Sequence, residues 1–591
     1  MTAEIESQRL LQSFLSGAKG VIDKREELNR INVFPVADND TGNNLASLMQ
    51  SIVDHVEMST TIETLLNEVA EAALSGARGN SGIIFAQYFH AVADEYSQAE
   101  KSAFGFVLSL KKAVSKAYEA LLEPKEGTIL TVMRTWADAL FQEFESKKEL
   151  SESFLFAQKE AKQAVKETEF QLTLLRKNRL VDSGAQGFYY FISHFTASYC
   201  NEFTILEERT TVKFSEPTFH GIIETTSPEF RYCTEFILRQ PTITKEELRT
   251  RLQSLGDSLI IAGNQKKLKV HIHTNRPKEV MEITTSYGSL GNQKVDDMQL
   301  QYTISQNRKY PIAIVTDSVA DVPQSYLLEE QVHVLPMNIL VNNQSFLDKL
   351  TIDAQQLTKQ IIEEEQVSTA QPSMNSVDAL LSYLEDKYEQ VLVITVSAKL
   401  SGTNQLITQR IQAGKFPSHR IKVIDSKVNS VAQGLIIQKA VAALKENLPF
   451  EAVIETVEQA IQRTFIYVSV ADLTPMIRSG RIPNRLGRIA KKLTLFPLVS
   501  LDGTGKGKLI GSSFSQSQSV KKMSKKISKW TKTNKIEALA ITHVANSEGA
   551  YELNEQLGAC ANYIVESSSA IAISAGAGSI AVAVMKKEDK K

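Results

Sequence analysis

Cysteine is scarce in this chain, and that scarcity excludes one class of protein. The 591 residues contain three cysteines, Cys200, Cys233 and Cys560. They are too few and too far apart for the disulfide framework that stabilises small secreted domains. The length is sufficient for roughly three or four domains, each with its own core. We therefore expect a large multidomain protein of the cytoplasm.

A strong excess of one charge and long apolar runs are also missing. The formal net charge is −2, so the chain lacks the basic footprint of a nucleic-acid-binding protein. Glu4, Glu6 and Arg9 interrupt the beginning of the chain, and no secretory signal is expected there. The most apolar stretch, 570–585, contains Gly and Ser, which predicts a loop and a helix rather than a membrane span.

The most informative segment present is 34–45, Phe-Pro-Val-Ala-Asp-Asn-Asp-Thr-Gly-Asn-Asn-Leu. In an extended loop, Asp38 and Asp40 point to the same side and can converge on one hard cation. Mg²⁺ usually binds through one or two carboxylates together with substrate phosphates. Asn44 is predicted to cap the following helix, whose start attracts phosphate. The alternative interpretation is an Asx-rich turn that only caps a helix.

Three later segments also place a polar, glycine-bearing loop before an apolar helix. They are 76–82 (Gly-Ala-Arg-Gly-Asn-Ser-Gly), 127–134 (Gly-Thr-Ile-Leu-Thr-Val-Met-Arg) and 181–187 (Val-Asp-Ser-Gly-Ala-Gln-Gly). In the first of them, the helix itself is predicted to begin at Ile83. Glycine allows a backbone to approach a ligand closely. Four such loops in one helical region indicate helix starts gathered around one polyanion.

With these motifs in order, residues 1–200 resemble the nucleotide-binding domain of the dihydroxyacetone kinase family, and most closely the kinase subunit of bacterial fatty acid kinase. The resemblance implies an all-α, eight-helix barrel that holds ATP at its open end and Mg²⁺ on aspartates. It implies catalytic roles for Asp38, Asp40 and Thr41, the two aspartates being metal ligands. An upstream Asp completes the metal site in that family, and the nearest residues here are Asn29 and Asn32. The implied nucleotide-binding residues are Asn44, Arg78, Gly79, Asn80, Ser81, Gly82, Thr128, Asp182 and Gly184.

The middle region contains one candidate set of transition-metal ligands. His271 and His273 end a strand-like run and therefore face the same side, and Cys233 lies in another strand-like run. A Cys and two His with a water would form an open tetrahedral Zn²⁺ site. The alternative interpretation is a strand with ordinary polar partners. Short strands alternate with helices here, and the motifs resemble the α/β middle domain of fatty acid kinase, which implies zinc on this trio.

The C-terminal half is predicted to be an α/β region. β-branched runs at 312–315, 391–395 and 421–424 are separated by helical stretches, which favours largely parallel strands. The motifs Ile-Val-Thr-Asp-Ser, Thr-Ala-Gln-Pro-Ser, Leu-Ser-Gly-Thr, Val-Ile-Asp-Ser-Lys and Ser-Gly-Arg-Ile resemble those of the DegV proteins, which bind fatty acids.

That resemblance implies two lobes, with an acyl chain in an apolar tunnel between them and its carboxylate held by hydroxyl groups. The implied lipid-binding residues are Thr369, Ser401, Gly402, Thr403 and Arg481. Ala370 and Ser574 stand where the family has Ser and His. For the segment Ser401 to Thr403 alone, an ordinary capping turn is the alternative interpretation.

A lysine-rich helix is predicted at 520–530, with Val520, Met523, Ile527 and Trp530 on one face. Such a helix can lie on an anionic membrane. The same period is typical of a surface helix packed on a domain core, which is the interpretation favoured here.

Together these features predict a kinase domain at 1–202, a middle domain at 203–302 and a DegV-like domain at 311–591. The predicted function is ATP-dependent phosphorylation of a fatty acid carboxylate. The alternatives are a kinase of a small polyol such as dihydroxyacetone and a non-catalytic lipid-binding or regulatory protein. Expected cofactors are ATP, Mg²⁺ and Zn²⁺. Expected partners are a fatty acid, separate DegV-type proteins, a second copy in a homodimer and a transient membrane surface, but no nucleic acid.

Overall fold

The computed structural model describes residues 6–34, 40–57, 59, 61–121, 123–146, 148–201, 227–342, 344–362, 366–471 and 495–588. Two predicted site residues, Asp38 and Arg481, lie outside these ranges. The chain forms two compact units, Met1–Ser305 and Gln306–Lys591.

The first part of the first unit is helical where it is described, as predicted. Its helices are α1 (Ser7–Asp23), α2 (Arg25–Arg30), α3 (Thr41–His55), α4 (Ile62–Gly76), α5 (Gly79–Gln98), α6 (Ala103–Glu119), α7 (Ile129–Glu145), α8 (Leu150–Gln171), α9 (Thr173–Asn178) and α10 (Ser183–Tyr199). Every residue of α10 except His194 is buried, because α10 lies inside the region and has apolar neighbours on all sides. The Phe191 ring, for example, contacts Phe85 and Phe89 at centroid distances of 5.3 Å.

Two of these helices begin earlier than the sequence predicted. Asn44 was expected at the cap of α3, but its N–H donates to Asp40 O at 2.8 Å. Asn44 therefore lies in the first turn, and Asp40 occupies the cap position. The helix predicted from Ile83 begins at Gly79. In both cases polar residues form the first helical turn, which apolar periodicity does not detect.

The second part of the first unit is a four-stranded sheet with three helices. Its elements are β1 (Tyr232–Arg239), α11 (Lys245–Leu252), β2 (Gly256–Asn264), β3 (Lys267–Thr274), α12 (Pro277–Thr285), β4 (Ser289–Asp297) and α13 (Met298–Asn307). The strand order is β2-β3-β1-β4, and all neighbours are antiparallel. Strands and helices alternate as predicted, although without the parallel pairing usual in an α/β domain.

The described part of the second unit contains three sheets. Its strands are β5 (Ile312–Asp317), β6 (His333–Leu335), β7 (Asn338–Val341), β8 (Gln344–Leu347), β9 (Val367–Ala370), β10 (Gln390–Thr395), β11 (Ile421–Asp425), β12 (Thr464–Ser469), β13 (Phe496–Leu501), β14 (Gly507–Ser513), β15 (Ile536–His543), β16 (Tyr563–Glu566) and β17 (Ile580–Lys586). Its helices are α14 (Gln324–Glu329), α15 (Ala354–Ile362), α16 (Met374–Lys387), α17 (Thr403–Arg410), α18 (Ser430–Lys445), α19 (Phe450–Arg463), α20 (Gln516–Thr533), α21 (Ser547–Gln556) and α22 (Ser569–Ala575), with a π-helical turn at Ile411–Lys415 after α17.

The prediction of largely parallel strands is correct for one sheet and wrong for the others. The sheet β11-β10-β5-β6 is parallel throughout and contains the three predicted β-branched runs. In the sheet β14-β13-β12-β17-β15-β16, only β15 and β16 pair in parallel. The sheet β8-β7-β9 is antiparallel. A short connection such as that between β13 and β14 can only make a hairpin, whereas parallel neighbours need a crossover.

The apolar stretch 570–585 contains the predicted helix and, at 576–579, the predicted loop, but it also contains a strand that was not predicted. α22 covers its beginning, and β17 covers its end as an inner strand of the six-stranded sheet. The alternate residues of β17 belong to two core clusters, one on each face of the sheet, and burial on both faces explains its apolar composition. Among the helices that the structure describes, none has the length and apolar character needed to cross a membrane.

The lysine-rich helix α20 packs on the six-stranded sheet, as the favoured interpretation predicted. Met523 and Ile527 are fully buried in the cluster that covers this sheet. Trp530 contacts the Phe465 ring at a centroid distance of 5.7 Å. The apolar face of α20 is therefore occupied by its own domain.

Candidate nucleotide and metal site

A cleft that is partly open to solvent lies in the first unit, and the empty space inside it and at its open mouth totals about 560 Å³. Its helical side contains Asp40 and Thr41 at the start of α3, and its other side belongs to the four-stranded sheet. The residues that line it are Asn32, Phe34, Asp40, Thr41, Asn44, Gly79, Asn80, Ser81, Cys233, His271, His273, Asp296, Met298 and Gln301. The cleft thus brings two of the four predicted nucleotide loops, 34–45 and 76–82, into one site with the predicted zinc trio, which was inferred separately.

Glycines allow the helix starts to approach each other. A Cβ at Gly79 would lie 2.4 Å from Asn44 Nδ2, and Gly79 also has a positive φ of 59°. A Cβ at Gly184 would lie 2.6 Å from Ser81 Oγ. Side chains at these two positions would separate the starts of α3, α5 and α10. The close approach of these helices explains two of the glycines in the predicted motifs.

Asn80 carries a buried polar atom that supports a ligand in this cleft. Its Oδ1 has no hydrogen-bond partner within the described part of the chain. An unsatisfied buried acceptor costs free energy unless a cation or a donor meets it. Together with the Asp40 carboxylate, this amide oxygen belongs to the hard oxygen donors that Mg²⁺ prefers. The donor set therefore fits a magnesium–nucleotide ligand.

The two candidates for a third metal ligand have different positions. Asn29 Oδ1 accepts a hydrogen bond from Asn43 N–H at 3.0 Å and so orients the start of α3. Asn32 is buried and lines the cleft. Of the two, Asn32 is the one with access to a ligand in the cleft.

Five predicted nucleotide-binding residues do not line the cleft: Arg78, Gly82, Thr128, Asp182 and Gly184. Asp182 is instead a buried link between helix starts. Its carboxylate accepts from Ala185 N–H at 2.7 Å, and backbone hydrogen bonds from Ile129 and Gly184 also reach it. Burial raises the pKa of Asp182 to about 6 despite these hydrogen bonds. Thr128 Oγ1 donates to Lys125 O at 2.7 Å in the loop before α7.

The sheet presents one polar face to the helix starts. Across β1, Cys233 lies opposite His273 and Asp296, and Glu235 lies opposite His271 and Lys294. These six residues share a face because side chains alternate along a strand. Gly79 N–H, at the start of α5, donates to Glu235 Oε1 at 2.6 Å. This hydrogen bond joins the helical side of the cleft to the sheet side.

The structure places the three predicted zinc ligands together. One ligand atom from each of Cys233, His271 and His273 lies within 4.8 Å of the others, and Cys233 Sγ is 3.8 Å from His271 Nδ1. His271 Nε2 is buried and has no hydrogen-bond partner among the described residues. Carboxylates hold the other nitrogens: Glu235 contacts His271 Nδ1 and Asp257 contacts His273 Nδ1, both at 3.2 Å. Imidazoles oriented by carboxylates around a thiol fit zinc.

Burial governs the ionisation of this face. It raises the pKa of the Cys233 thiol well above its usual range, and the charges of Glu235 and Asp296 raise it further. Burial also lowers the pKa of His271, which favours the neutral, metal-binding form. For Glu235, burial acts to raise the pKa, but Lys269 at 3.1 Å and the hydrogen bond with His271 bring it well below its usual value. A bound cation would favour the Cys233 thiolate.

Sequence reasoning did not assign Glu235, Lys269, Lys294 or Asp296. The available signal was the period of two: Glu235 follows Cys233 by two residues, and Asp296 follows Lys294 by two. Such alternation marks one face of a strand. It does not reveal which other strand lies alongside.

In the second unit, two predicted lipid-binding motifs lie next to each other. A Cβ at Gly402 would lie 2.6 Å from Gln371 Oε1, so segment 369–373 contacts segment 400–403. Ser401 Oγ and Thr403 Oγ1 are 2.9 Å apart, and Thr403 is fully buried. Thr369 is half-buried and pairs with Ile339 across β7 and β9. Ser574 Oγ donates to Ala570 O at 3.2 Å within α22.

Three family models match this chain in succession. They are the DAK2 domain at residues 35–197, the middle domain of FakA-like fatty acid kinase proteins at 229–305 and the model described as an uncharacterised protein of the DegV family at 311–587.

The curated relatives are uncharacterised proteins that match about half of the chain. One from Staphylococcus saprophyticus is 32% identical over 313 residues, which cover 51% of this chain and 57% of the relative. One from Staphylococcus haemolyticus is 30% identical over 314 residues, with the same coverage. The chain therefore spans 57% of the length of each of these two relatives.

Solved structures of DegV-family proteins are also similar to part of the chain. A DegV-family protein from Thermus thermophilus, whose structure is described as fatty acid binding, is 23% identical, with a TM-score of 0.44 and coverage of 47% of this chain and 99% of its own. DegV from Bacillus subtilis, described as a fatty acid binding protein, is 21% identical, with a TM-score of 0.43 and coverage of 47% and 100%. From the family models, the chain joins a DAK2 domain, a FakA-like middle domain and a DegV-family domain, matching a fatty acid kinase fused to a DegV protein.

Proposed function

We propose that this protein is an ATP-dependent fatty acid kinase whose DegV-family domain holds the fatty acid. The observation that carries the proposal is the cleft in which Asp40, Thr41 and Asn80 face the polar surface of the middle domain. Carboxylate and amide oxygens beside two helix starts are suited to a magnesium–nucleotide complex. The DegV-family domain in the same chain supports a fatty acid as the phosphoryl acceptor.

The reaction would convert a carboxylate into an acyl phosphate. A carboxylate oxygen forms a bond to the γ-phosphorus of ATP. The bond between that phosphorus and the β–γ bridging oxygen breaks, and its electron pair leaves with ADP. The acceptor is already ionised at neutral pH, so no base needs to remove a proton. Catalysis would then consist mainly of positioning and charge neutralisation.

The residues of the cleft divide these tasks. Asp40, with Asp38 from outside the described residues, would hold Mg²⁺, which supplies positive charge against the phosphates. The starts of α3 and α5 line the cleft, and the partial positive charge of a helix start favours phosphate there. Cys233, His271 and His273 would hold Zn²⁺ on the sheet side, where it would add a fixed positive charge.

The proposal also includes the finer features implied by the family resemblances. These are domain limits at 1–202, 203–302 and 311–591, and an eight-helix barrel for the first domain. Thr369, Ser401, Gly402, Thr403 and Arg481 would hold the fatty acid carboxylate. Separate DegV-type proteins could supply further acceptors, and the protein would act as a homodimer.

The test is a product assay on the purified chain. The protein is incubated with Mg-ATP and oleate, and acyl phosphate is trapped with hydroxylamine and identified by mass spectrometry. We expect the hydroxamate to form together with an equal amount of ADP. Dihydroxyacetone replaces oleate in a parallel reaction, and a DegV-type protein is added in a third. Phosphorylation of dihydroxyacetone but not of oleate would refute the fatty acid assignment. Failure to bind Mg-ATP would refute kinase activity altogether.

A further inference from the structure

The lining of the cleft lacks a cationic side chain that could meet a triphosphate. None of the lining residues within the described part of the chain is a Lys or an Arg. The neighbouring segment 35–39, Pro-Val-Ala-Asp-Asn, contains none in its sequence either. Two lining residues, Asp40 and Asp296, are acidic. Enzymes that transfer phosphoryl groups use Lys or Arg as well as metal ions to neutralise the phosphates.

The charge of Lys294 interacts with the charges of both acidic lining residues, Asp40 and Asp296. It lies on β4, two residues before Asp296 and opposite Glu235, on the strand face that is turned to the helix starts. Its side chain forms an ion pair with Asp296. Burial acts to lower the pKa of Lys294, but the charges of Asp296, Glu235 and Asp40 raise it well above its usual value. The ammonium group therefore lies beside Asp296, one of the two acidic residues that line the cleft.

Lys269, on the same face, is already held by a carboxylate. Lys269 pairs with Glu235 at 3.1 Å, and the two side chains are 5% and 1% exposed. Opening that pair would leave a buried charge without its partner, which is costly. In the pair of Lys294 and Asp296, the side chains are 29% and 28% exposed. Water can solvate Asp296 once Lys294 leaves it, so this pair can open at much lower cost.

We propose that Lys294 contacts the terminal phosphate of the nucleotide bound in this cleft, and that Asp296 positions its ammonium group beforehand. A lysine is suited to the task because its compact charge, on a flexible stem, can move from a carboxylate to a phosphate. The inference rests on the proposed kinase function and adds a phosphate-contacting residue that lies in the middle domain, outside all four nucleotide motifs.

The test compares ATP with ADP, since only ATP has the γ-phosphate, which is the terminal phosphate that Lys294 is proposed to contact. Binding of Mg-ATP and Mg-ADP to the full chain is measured by isothermal titration calorimetry for the wild type, Lys294→Met and Lys294→Arg. In Lys294→Met, we expect the affinity for ATP to fall on the order of tenfold or more, the scale of a lost hydrogen bond to a charged group. The affinity for ADP should change much less. Lys294→Arg should recover part of the ATP affinity. Lys294→Gln provides the same comparison if the Met variant does not fold.

A matched control comes from the neighbouring ion pair. Arg231 and Asp297 are 2.7 Å apart, and both side chains are 23% exposed. Neither residue lines the cleft. Arg231→Met removes a pair of similar exposure, and the affinities for both nucleotides should stay as in the wild type. Asp296→Asn should lower the affinity for ATP less than Lys294→Met does, because it removes the carboxylate that positions the ammonium group but leaves Lys294 in place.

The outcomes separate the inference from the proposed function. If the wild type binds both nucleotides but Lys294→Met weakens them equally, or weakens neither, Lys294 does not contact the terminal phosphate and the kinase proposal stands. If Asp296→Asn weakens both nucleotides in a magnesium-dependent way, Asp296 is a metal ligand and the inference is wrong. A wild-type chain that binds neither nucleotide overturns both.

Discussion

Glu235 is the residue at which the two sides of the cleft meet. Its carboxylate accepts from Gly79 N–H at 2.6 Å and contacts Lys269 Nζ at 3.1 Å and His271 Nδ1 at 3.2 Å. The side chain is almost fully buried, so these partners replace its hydration. Glu235 therefore couples the start of α5 to a predicted zinc ligand. Glu235 itself is not among the residues that line the cleft.

Asp40→Asn should impair phosphoryl transfer strongly while preserving the fold. The substitution removes a negative charge that would hold Mg²⁺, and loss of one electrostatic stabiliser costs about 10²-fold or more in rate. The measurement is ADP release with saturating oleate, accompanied by thermal unfolding. Asp54→Asn is the matched control, because Asp54 lies on the same helix and is exposed. If Asp40→Asn turns over as fast as the wild type, Asp40 is not a metal ligand.

His273→Ala should lower the zinc content of the purified protein. We expect near-stoichiometric zinc in the wild type, because Cys233, His271 and His273 can meet on one ion. Elemental analysis by mass spectrometry provides the measurement. His55→Ala removes an exposed histidine from α3 and should leave the zinc content unchanged. A wild-type protein that contains no zinc, even after purification with added zinc, would make the trio ordinary polar residues of a strand.

At the scale of elements, helix starts and strand register together build the site. The starts of α3, α5 and α10 can approach each other because positions 79 and 184 are glycines and have no Cβ to hold the helices apart. The antiparallel register of β3, β1 and β4 then places the polar residues in two rows across the sheet. One row contains Cys233 with its neighbours on β3 and β4, and the other contains Glu235 with its neighbours there. Asp182 links the start of α10 to the start of α7 beneath this arrangement.

Asp182→Asn should change how stability depends on pH. Burial raises the pKa of Asp182 from 3.8 to about 6 in the folded state. Folding therefore favours the protonated form, and this contribution is complete below pH 3.8 and is lost as the pH rises through 6. Asparagine does not titrate. Relative to the wild type, the variant should gain up to about 3 kcal/mol of unfolding free energy between pH 4 and pH 7.

Thermal unfolding of the full chain at several pH values measures this difference. The transition that responds to the substitution is the informative one, because a multidomain chain need not unfold in one step. The exposed Asp54→Asn variant should show no comparable change between the two pH values. A constant difference between Asp182→Asn and the wild type would mean that Asp182 is ionised in the folded state without penalty.

At the scale of the whole molecule, one chain carries both a DAK2 domain and a DegV-family domain. Under the proposed function, the donor and the acceptor are tethered. Tethering raises the effective concentration of one for the other if the connection lets them meet. For transfer within one chain, the rate per molecule should then not depend on protein concentration. For transfer to a separate DegV-type protein, the rate per molecule should rise with the concentration of that protein.

The purified chain should carry fatty acid, and Ser401→Ala should bind it about tenfold more weakly. The substitution removes a hydroxyl that can donate to the carboxylate, and a hydrogen bond to a charged group contributes about 1.5–3 kcal/mol. Mass spectrometry of extracted lipid and titration with oleate provide the measurements. Ser376→Ala, on α16, is the control. Unchanged oleate affinity in Ser401→Ala would place the carboxylate elsewhere.

The sequence by itself determined the local features of this protein. β-branched runs located the strands at 312–315, 391–395 and 421–424, and the polar loops indicated that α3, α5, α7 and α10 begin near them. The order of motifs also indicated the three domains that the family models match. These features depend on neighbouring residues, so they can be read from a short window of the chain.

Only the tertiary structure decided which of these features share a site. Gly79 and Glu235 are 156 residues apart in the chain and joined by one hydrogen bond. Asp296 lines the cleft, with Lys294 on the same strand face, because β4 pairs with β1 in a particular register. Burial, not residue type, made Asp182 a structural link rather than part of the lining. Strand register and burial are set by contacts between distant residues, and a single sequence contains no periodic signal for them.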